Sequence, residues 1–285
     1  MQYQLDDLFQ DVPLKFEKGV VAIDVITLKG AGNAVEPYLP THNIVLPPSA
    51  EYQAEASFED LMQICVNPEG PSIAAIIDTK KMKWEPGLEP QRSTFDDYTN
   101  TPKRAVSFGS VGIVSYQETS ITRLPVVLED GRNVNMWFAE IPQTKLAEVK
   151  TYGLFSLAKE FTSAYRPEAT ESYEHFKIPT QQINYYRIME EIMQLNPSIA
   201  EVKQIFKVAL DETGARVYVE TNMRLGMAPR PANEPKVAVF GSKGPVMFWL
   251  TEPDETKALT PFAVVVTTSE AWLKPNQEVD FSLGL

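Results

Sequence analysis

The sequence has little cysteine, little histidine and no long apolar run, and each shortage removes a class of function. One cysteine, Cys65, among 285 residues excludes an internal disulfide framework, and the role expected for it is a small buried thiol. The two histidines, His42 and His175, lie far apart, with no H-E-x-x-H or paired Cys/His spacing around them. No metal site and no cofactor is therefore specified. No apolar stretch approaches the roughly 18 residues that cross a bilayer. Met1 to Asp7 has no basic stretch leading into an apolar one, so no signal peptide is read, and a cytoplasmic or particle-associated location is expected over secretion. Basic residues number 26 against 38 acidic ones, a net charge of -12, which argues against nucleic acid or an anionic membrane as partner. Glycine is sparse beside proline, 14 to 22, and that balance favours strands and rigid loops over long helices. There is no G-x-S-x-G elbow and no Walker motif. Lys29-Gly30-Ala31-Gly32-Asn33-Ala34 has the look of a phosphate-binding turn but lacks the third glycine and a following amphipathic helix, so no nucleotide site is assigned. No catalytic residue is assigned either.

What is present is ordinary globular material, 44% hydrophobic and 22% charged. Residues 1–20 carry Leu5, Leu8, Phe9 and Val12 at helical spacing. Gly19 to Leu28 reads as a strand, Ala54 to Val66 as a helix with Phe58, Leu61, Met62 and Cys65 on one face. Ile73 to Ile77 is a continuous apolar run, as in a strand covered on both faces. Strands follow over Val106 to Tyr116 and Thr122 to Leu128. The turn Glu129-Asp130-Gly131-Arg132 closes the latter into a hairpin with Val134 to Ile141. Helices are expected over Lys145 to Ser163 and Tyr185 to Leu195, the second stopped by Asn196-Pro197. Ile205 to Leu210 and Ala215 to Thr221 alternate around Asp211-Glu212-Thr213-Gly214, a hairpin by spacing alone. Val246 to Glu252 and Leu259 to Thr268 are strongly apolar strands.

The order of these elements from Ser72 onward resembles the serpin superfamily over roughly 210 residues. Ser72 to Trp84 is similar to a central-sheet strand ending in tryptophan, and Glu85-Pro86-Gly87-Leu88 to Thr94-Phe95 to its continuation. Thr122 to Val126, Asn135 to Phe138 and Ile141-Pro142 resemble the strands before the helical crossover, and His175 to Pro179 the family's Lys-Phe-Lys-Ile strand. The most specific match is Ile205 to Gly214, similar to the strand and Glu-x-Gly hinge that open the reactive-centre loop. Pro245 to Leu250 and Pro261 to Val266 look like the closing strand pair, and Lys274-Pro275 lies near the family's terminal Asn-Pro. The resemblance implies an α+β protein: a serpin-like multi-sheet β core with a few helices and a shortened N-terminal helical region. It implies one domain over 1–285, with a reduced part at 1–71, a core at 72–285 and a loop region at 214–235.

The resemblance also names a site. The hinge and loop would comprise Glu212, Thr213, Gly214, Ala215, Val217, Val219 and Thr221, and a scissile or binding loop would hold Arg224, Ala228, Pro229 and Arg230. Inhibitory serpins follow the hinge glycine with a run of alanines. Here Ala215, Val217, Val219 and Thr221 form a small apolar face and Arg216, Tyr218 and Glu220 a polar one, which is the pattern of a formed strand. The first reading is a non-inhibitory, non-enzymatic serpin-fold protein that binds or assembles with another protein, in a viral or microbial setting, and that can self-associate. The alternatives are an inhibitor of serine or cysteine endopeptidases acting through the loop after Gly214, or an enzyme on an unrelated fold.

Overall fold

The computed structural model of the chain describes residues 9, 12–39, 44–47, 58–67, 72–196, 198–222, 238–253 and 260–285. Strands β1 (Val20–Ile23), β4 (Lys83–Trp84), β7 (Val111–Tyr116), β8 (Thr119–Val127), β9 (Asn133–Glu140), β10 (Glu171–Tyr173), β16 (Val246–Thr251) and β17 (Phe262–Thr267) form an eight-stranded sheet. Its order is β1-β17-β16-β9-β8-β7-β10, with β4 also on β8. A four-stranded sheet runs β15 (Ala238–Val239), β11 (Phe176–Pro179), β6 (Pro102–Phe108), β5 (Gln91–Asp96). A five-stranded sheet runs β12 (Gln181–Ile188), β13 (Lys203–Asp211), β14 (Gly214–Asn222), β3 (Ser72–Asp78), β2 (Met62–Asn67). The helices are α1 (Val25–Val35), α2 (Gln143–Ala147), α3 (Gly153–Ala164) and α4 (Glu190–Leu195).

Periodicity explains where each sheet lies. Strands β16 and β17 are buried along their whole length, because their continuous apolar runs leave no face suited to water. One side of that sheet shares a core with the other two sheets, through residues such as Val265, Phe248, Phe108 and Val217. The opposite side packs Trp249, Trp137 and Val264 against Leu154, Phe161 and Ile192 of the helices. Trp137 and Trp249 stack with planes 2° apart. The hairpin over β8 and β9 forms with Gly131 at φ +87°, where an L side chain is disfavoured.

Five expected elements differ from the pattern read in the sequence. Val25 to Leu28 is helical rather than strand: Asp24 caps the turn by accepting from the Thr27 amide at 2.7 Å. The same helix absorbs Lys29 to Ala34, so the glycines there form no phosphate-binding turn. Met62 to Asn67 pairs with Ser72 to Ile77 as an antiparallel strand instead of continuing a helix. Cys65 is consequently exposed, correcting the buried thiol. Val106 to Tyr116 is split between two sheets, in β6 and β7. The helix expected over 145–163 breaks at 148–152, where Thr151 donates its amide to the Val12 carbonyl at 2.9 Å and its hydroxyl to that of Pro13 at 2.8 Å. Tyr185 to Ile188 belongs to β12, and helix begins only at Glu190. Strand β3 is fully covered on one face and half-covered on the other. Leu5, Leu8, His42 and residues 54–57 lie outside the described residues.

Candidate functional site: the β13–β14 hairpin

Strand β13 carries the alternation that folds it back on β14. Their register runs without a break from Lys203 opposite Asn222 to Asp211 opposite Gly214. The turn is built by Asp211, whose Oδ1 accepts the Thr213 amide at 2.6 Å and its hydroxyl at 2.7 Å. An aspartate side chain closing its own turn in this way substitutes for a backbone bond. Lys81 Nζ donates to Thr213 Oγ1 at 2.6 Å. Gly214 has φ +146°, and a Cβ there would sit 2.1 Å from the Met82 carbonyl oxygen. Glycine is required both for conformation and for room.

Glu212 points at a buried cation. Arg104 of β6 is fully buried, and its Nη2 lies 2.9 Å from each Glu212 carboxylate oxygen. Its Nη1 donates to the Gln277 carbonyl at 2.7 Å and to Glu278 at 3.1 Å. Asp211 Oδ2 stands 3.6 Å away. Three carboxylates around one guanidinium answer the requirement that a buried charge be paired and hydrogen-bonded. The Trp84 indole donates to the Asp211 carbonyl at 2.9 Å.

Beyond the turn, β14 has partners on both edges. On one side it pairs with β13. On the other, Tyr218 to Thr221 pair antiparallel with Ala75 to Asp78, and Ala215 exchanges two backbone bonds with Met82, at 2.7 and 3.1 Å. Between these, the Thr79 amide donates to the Val217 carbonyl and the Val217 amide to the Thr79 hydroxyl, both at 3.0 Å. Ala215, Val217, Val219 and Thr221 are fully buried. On the opposite face Arg216 forks onto Asp78, at 3.0 Å through Nε and 2.6 Å through Nη2, and Tyr218 donates to Glu220. Burial pushes the Asp78 carboxyl up, but the bonds from Arg216 and Lys80 more than reverse it, so its pKa lies below the ordinary 3.8.

At the far end of β14, Gln204 Nε2 donates to the Thr221 hydroxyl at 2.9 Å and to the Asp24 carbonyl at 2.6 Å. Thr221 and Thr27 hydroxyls are 2.8 Å apart, and Thr27 donates to the Asp24 carboxylate at 2.7 Å. Asp24 is fully buried, and desolvation pushes its carboxyl above the ordinary range against four hydrogen bonds that lower it.

The structure brings Glu212 to Thr221 into one strand and turn, while Arg224, Ala228, Pro229 and Arg230 lie outside the described residues. Sequence reasoning missed the groups that hold the hairpin: Arg104, Thr79, Met82, Asp24 and Gln204. Two signals were available. Lys103-Arg104 interrupts an otherwise apolar strand, and Asp24 precedes Thr27 at capping distance. Among the described residues no cluster of His, Cys, Asp and Glu has the geometry to hold a metal ion, and no helix is long and apolar enough to cross a membrane.

No family model matches the chain, and no curated protein is similar to it in sequence. Solved structures do match. A loop-inserted, cleaved ovalbumin mutant is similar at 12% identity and a TM-score of 0.45, over 70% of this chain and 57% of that one. The thermophilic serpin tengpin in its latent state is similar at 11% and 0.46, over 73% and 58%. Cleaved Serpin 42Da is similar at 11% and 0.47, over 90% and 68%. The chain spans less than two thirds of the length of the first two. The second and third of these are serpins, as are others among the matched structures.

Proposed function

We propose that the chain is a non-enzymatic, serpin-fold protein that acts by binding or assembling with another protein and does not trap proteases by loop insertion. One observation carries this reading: β14, the strand after the Glu212-Thr213-Gly214 hinge, is paired on both edges and buried on one face. A trap of this family needs that strand outside the sheet until the loop is cut. Here Val217 and Val219 alone contribute roughly 3–6 kcal/mol of apolar burial, which extraction would forfeit along with the ladder bonds. The shared core of the three sheets supports treating residues 1–285 as one unit.

The partner in this reading is a protein. The net charge of -12 disfavours a polyanion. The segment that follows β14 in sequence, with Arg224, Ala228, Pro229 and Arg230, is the one proposed to meet such a partner. Strand β2 ends its sheet, and it exposes Ile64 by 44% and Val66 by 47%; an uncharged edge of this kind supports association with a further chain, another copy included.

Protease inhibition is the second reading, and a specific geometry favours it. Strand β14 is antiparallel to both β13 and β3, so its two neighbours run parallel to each other and could close up as a pair if β14 were outside. The test is incubation of the full chain with trypsin-like serine proteases and with cysteine proteases, followed by denaturing electrophoresis. The proposal expects simple cleavage or none. A protease complex that survives SDS would overturn it in favour of the second reading.

A further inference from the structure

Segment 274–285 lies across the outer face of the five-stranded sheet at its hairpin end, and side chains from β5, β6, β12, β13 and β14 bond its backbone, Arg92 to the Pro275 carbonyl at 3.0 Å and Lys207 to that of Gly284 at 3.3 Å among them. Arg104 of β6 donates to the Gln277 carbonyl at 2.7 Å. Gln182 of β12 makes a paired contact with Asp280, donating to its carbonyl at 3.2 Å and accepting its amide at 2.8 Å. Arg216 of β14 donates to the Phe281 carbonyl at 2.8 Å while the same guanidinium forks onto Asp78 of β3. The segment's apolar residues complete the hold. Leu283 is buried with Ala209 and Tyr218, and Phe281 packs against the same cluster. Lys81 sits 3.9 Å above the Phe281 ring.

The placement matters because the gripped residues are those of the hairpin. Arg104 holds Glu212 of the turn and the segment at once. Arg216 and Tyr218 belong to β14, and Ala209 to its partner strand. Gln182 lies on β12, two strands from β14 in the sheet order. A segment anchored to β6, β12 and β13 and bonded to β14 resists movement of β14 away from them. Side-chain-to-carbonyl bonds of this kind are individually modest, so the segment can open without unfolding the sheets behind it.

We infer that segment 274–285 is a clamp in cis: it keeps β14 in the sheet, and its release is the step that loosens the hairpin. The inference rests on the residence of β14 in the sheet and not on what the hairpin binds, so protease reactivity, which tests the functional reading, is scored separately. The experiment is hydrogen–deuterium exchange on the full chain, comparing wild type with Gln182→Ala and with the double variant Phe281→Ala, Leu283→Ala. The amides of Arg216 to Thr221 are followed, with those of Met136 to Ala139 in the eight-stranded sheet as internal reference. The expected result is exchange of the β14 amides on the order of tenfold faster in both variants, with the reference unchanged. Gln182→Ala removes no core side chain, so it reports even if the double variant fails to fold. Unchanged β14 exchange in Gln182→Ala, whether or not the segment itself loosens, overturns the clamp. Equal acceleration of β14 and the reference overturns it too, because the loss would then be global.

Discussion

Replacing Gly214 by alanine tests whether the hairpin turn is docked against Met82 as tightly as its geometry states. Two costs arise. The backbone sits at φ +146°, a region that costs a non-glycine residue about 1–3 kcal/mol. The new Cβ would also meet the Met82 carbonyl oxygen at 2.1 Å, which forces that carbonyl away. The bond most exposed to this movement is the one from the Ala215 amide to Met82, and its reciprocal partner lies beside it. Losing the two together costs about 1–3 kcal/mol. Gly131 is the control: its φ is +87°, and a Cβ there meets nothing within 4 Å. Gly131→Ala therefore carries a backbone cost alone. Equilibrium urea unfolding of the two variants beside wild type should show Gly214→Ala less stable than Gly131→Ala by about 1–3 kcal/mol. Equal losses would refute the docked turn, since they would leave conformation as the only cost at both sites.

The ion pair on the outer face gives a pH signature. Asp78 has a folded pKa below its ordinary 3.8, so its stabilising contribution is complete above that value and is lost as pH falls through the lowered one. Removing its strongest partner with Arg216→Met should flatten the loss of stability on acidification below about pH 4; an unchanged acid slope, measured by thermal melts across pH 2–5, would show that the pair is not formed. Cys65 is exposed on β2, so one thiol per chain should react with an aromatic disulfide reagent in native buffer. Labelling that requires denaturant would contradict the strand assignment of Met62 to Asn67.

Much of this architecture could be read from residue pattern, and several of the exceptions depend on contacts between distant segments. The hairpins at Gly131 and Gly214 were legible because turn chemistry and alternation agree there locally. The apolar runs of β16 and β17 were legible as strands. Met62 to Asn67 was not legible as a strand, because Phe58, Leu61, Met62 and Cys65 also fit a helical face; pairing with β3 decides it. The break at 148–152 depends on carbonyls of Val12 and Pro13 that are more than 130 positions away. The same holds for the site. The alternating faces of Ala215 to Thr221 are written in the sequence, whereas Arg104, Thr79 and Gln182 acquire their roles only through contacts between distant strands. Segment 274–285 alternates polar and apolar residues from Glu278 to Leu283, and that pattern does not say which sheet it lies across.

The central claim is that β14 is a resident strand rather than a loop awaiting insertion, and one measurement addresses it most directly. The full chain is nicked by limited proteolysis between Asn222 and Glu234, and the melting temperature of the nicked protein is compared with that of the intact one. If β14 already occupies the sheet, cutting the chain beyond it releases no strand, and the melting temperature should change by less than about 4 °C, the scale of roughly 1 kcal/mol for a chain of this size. A rise of more than about 10 °C, the equivalent of several kcal/mol gained on cleavage, would contradict the account, because it would mean that the strand had been held out of the sheet until the cut.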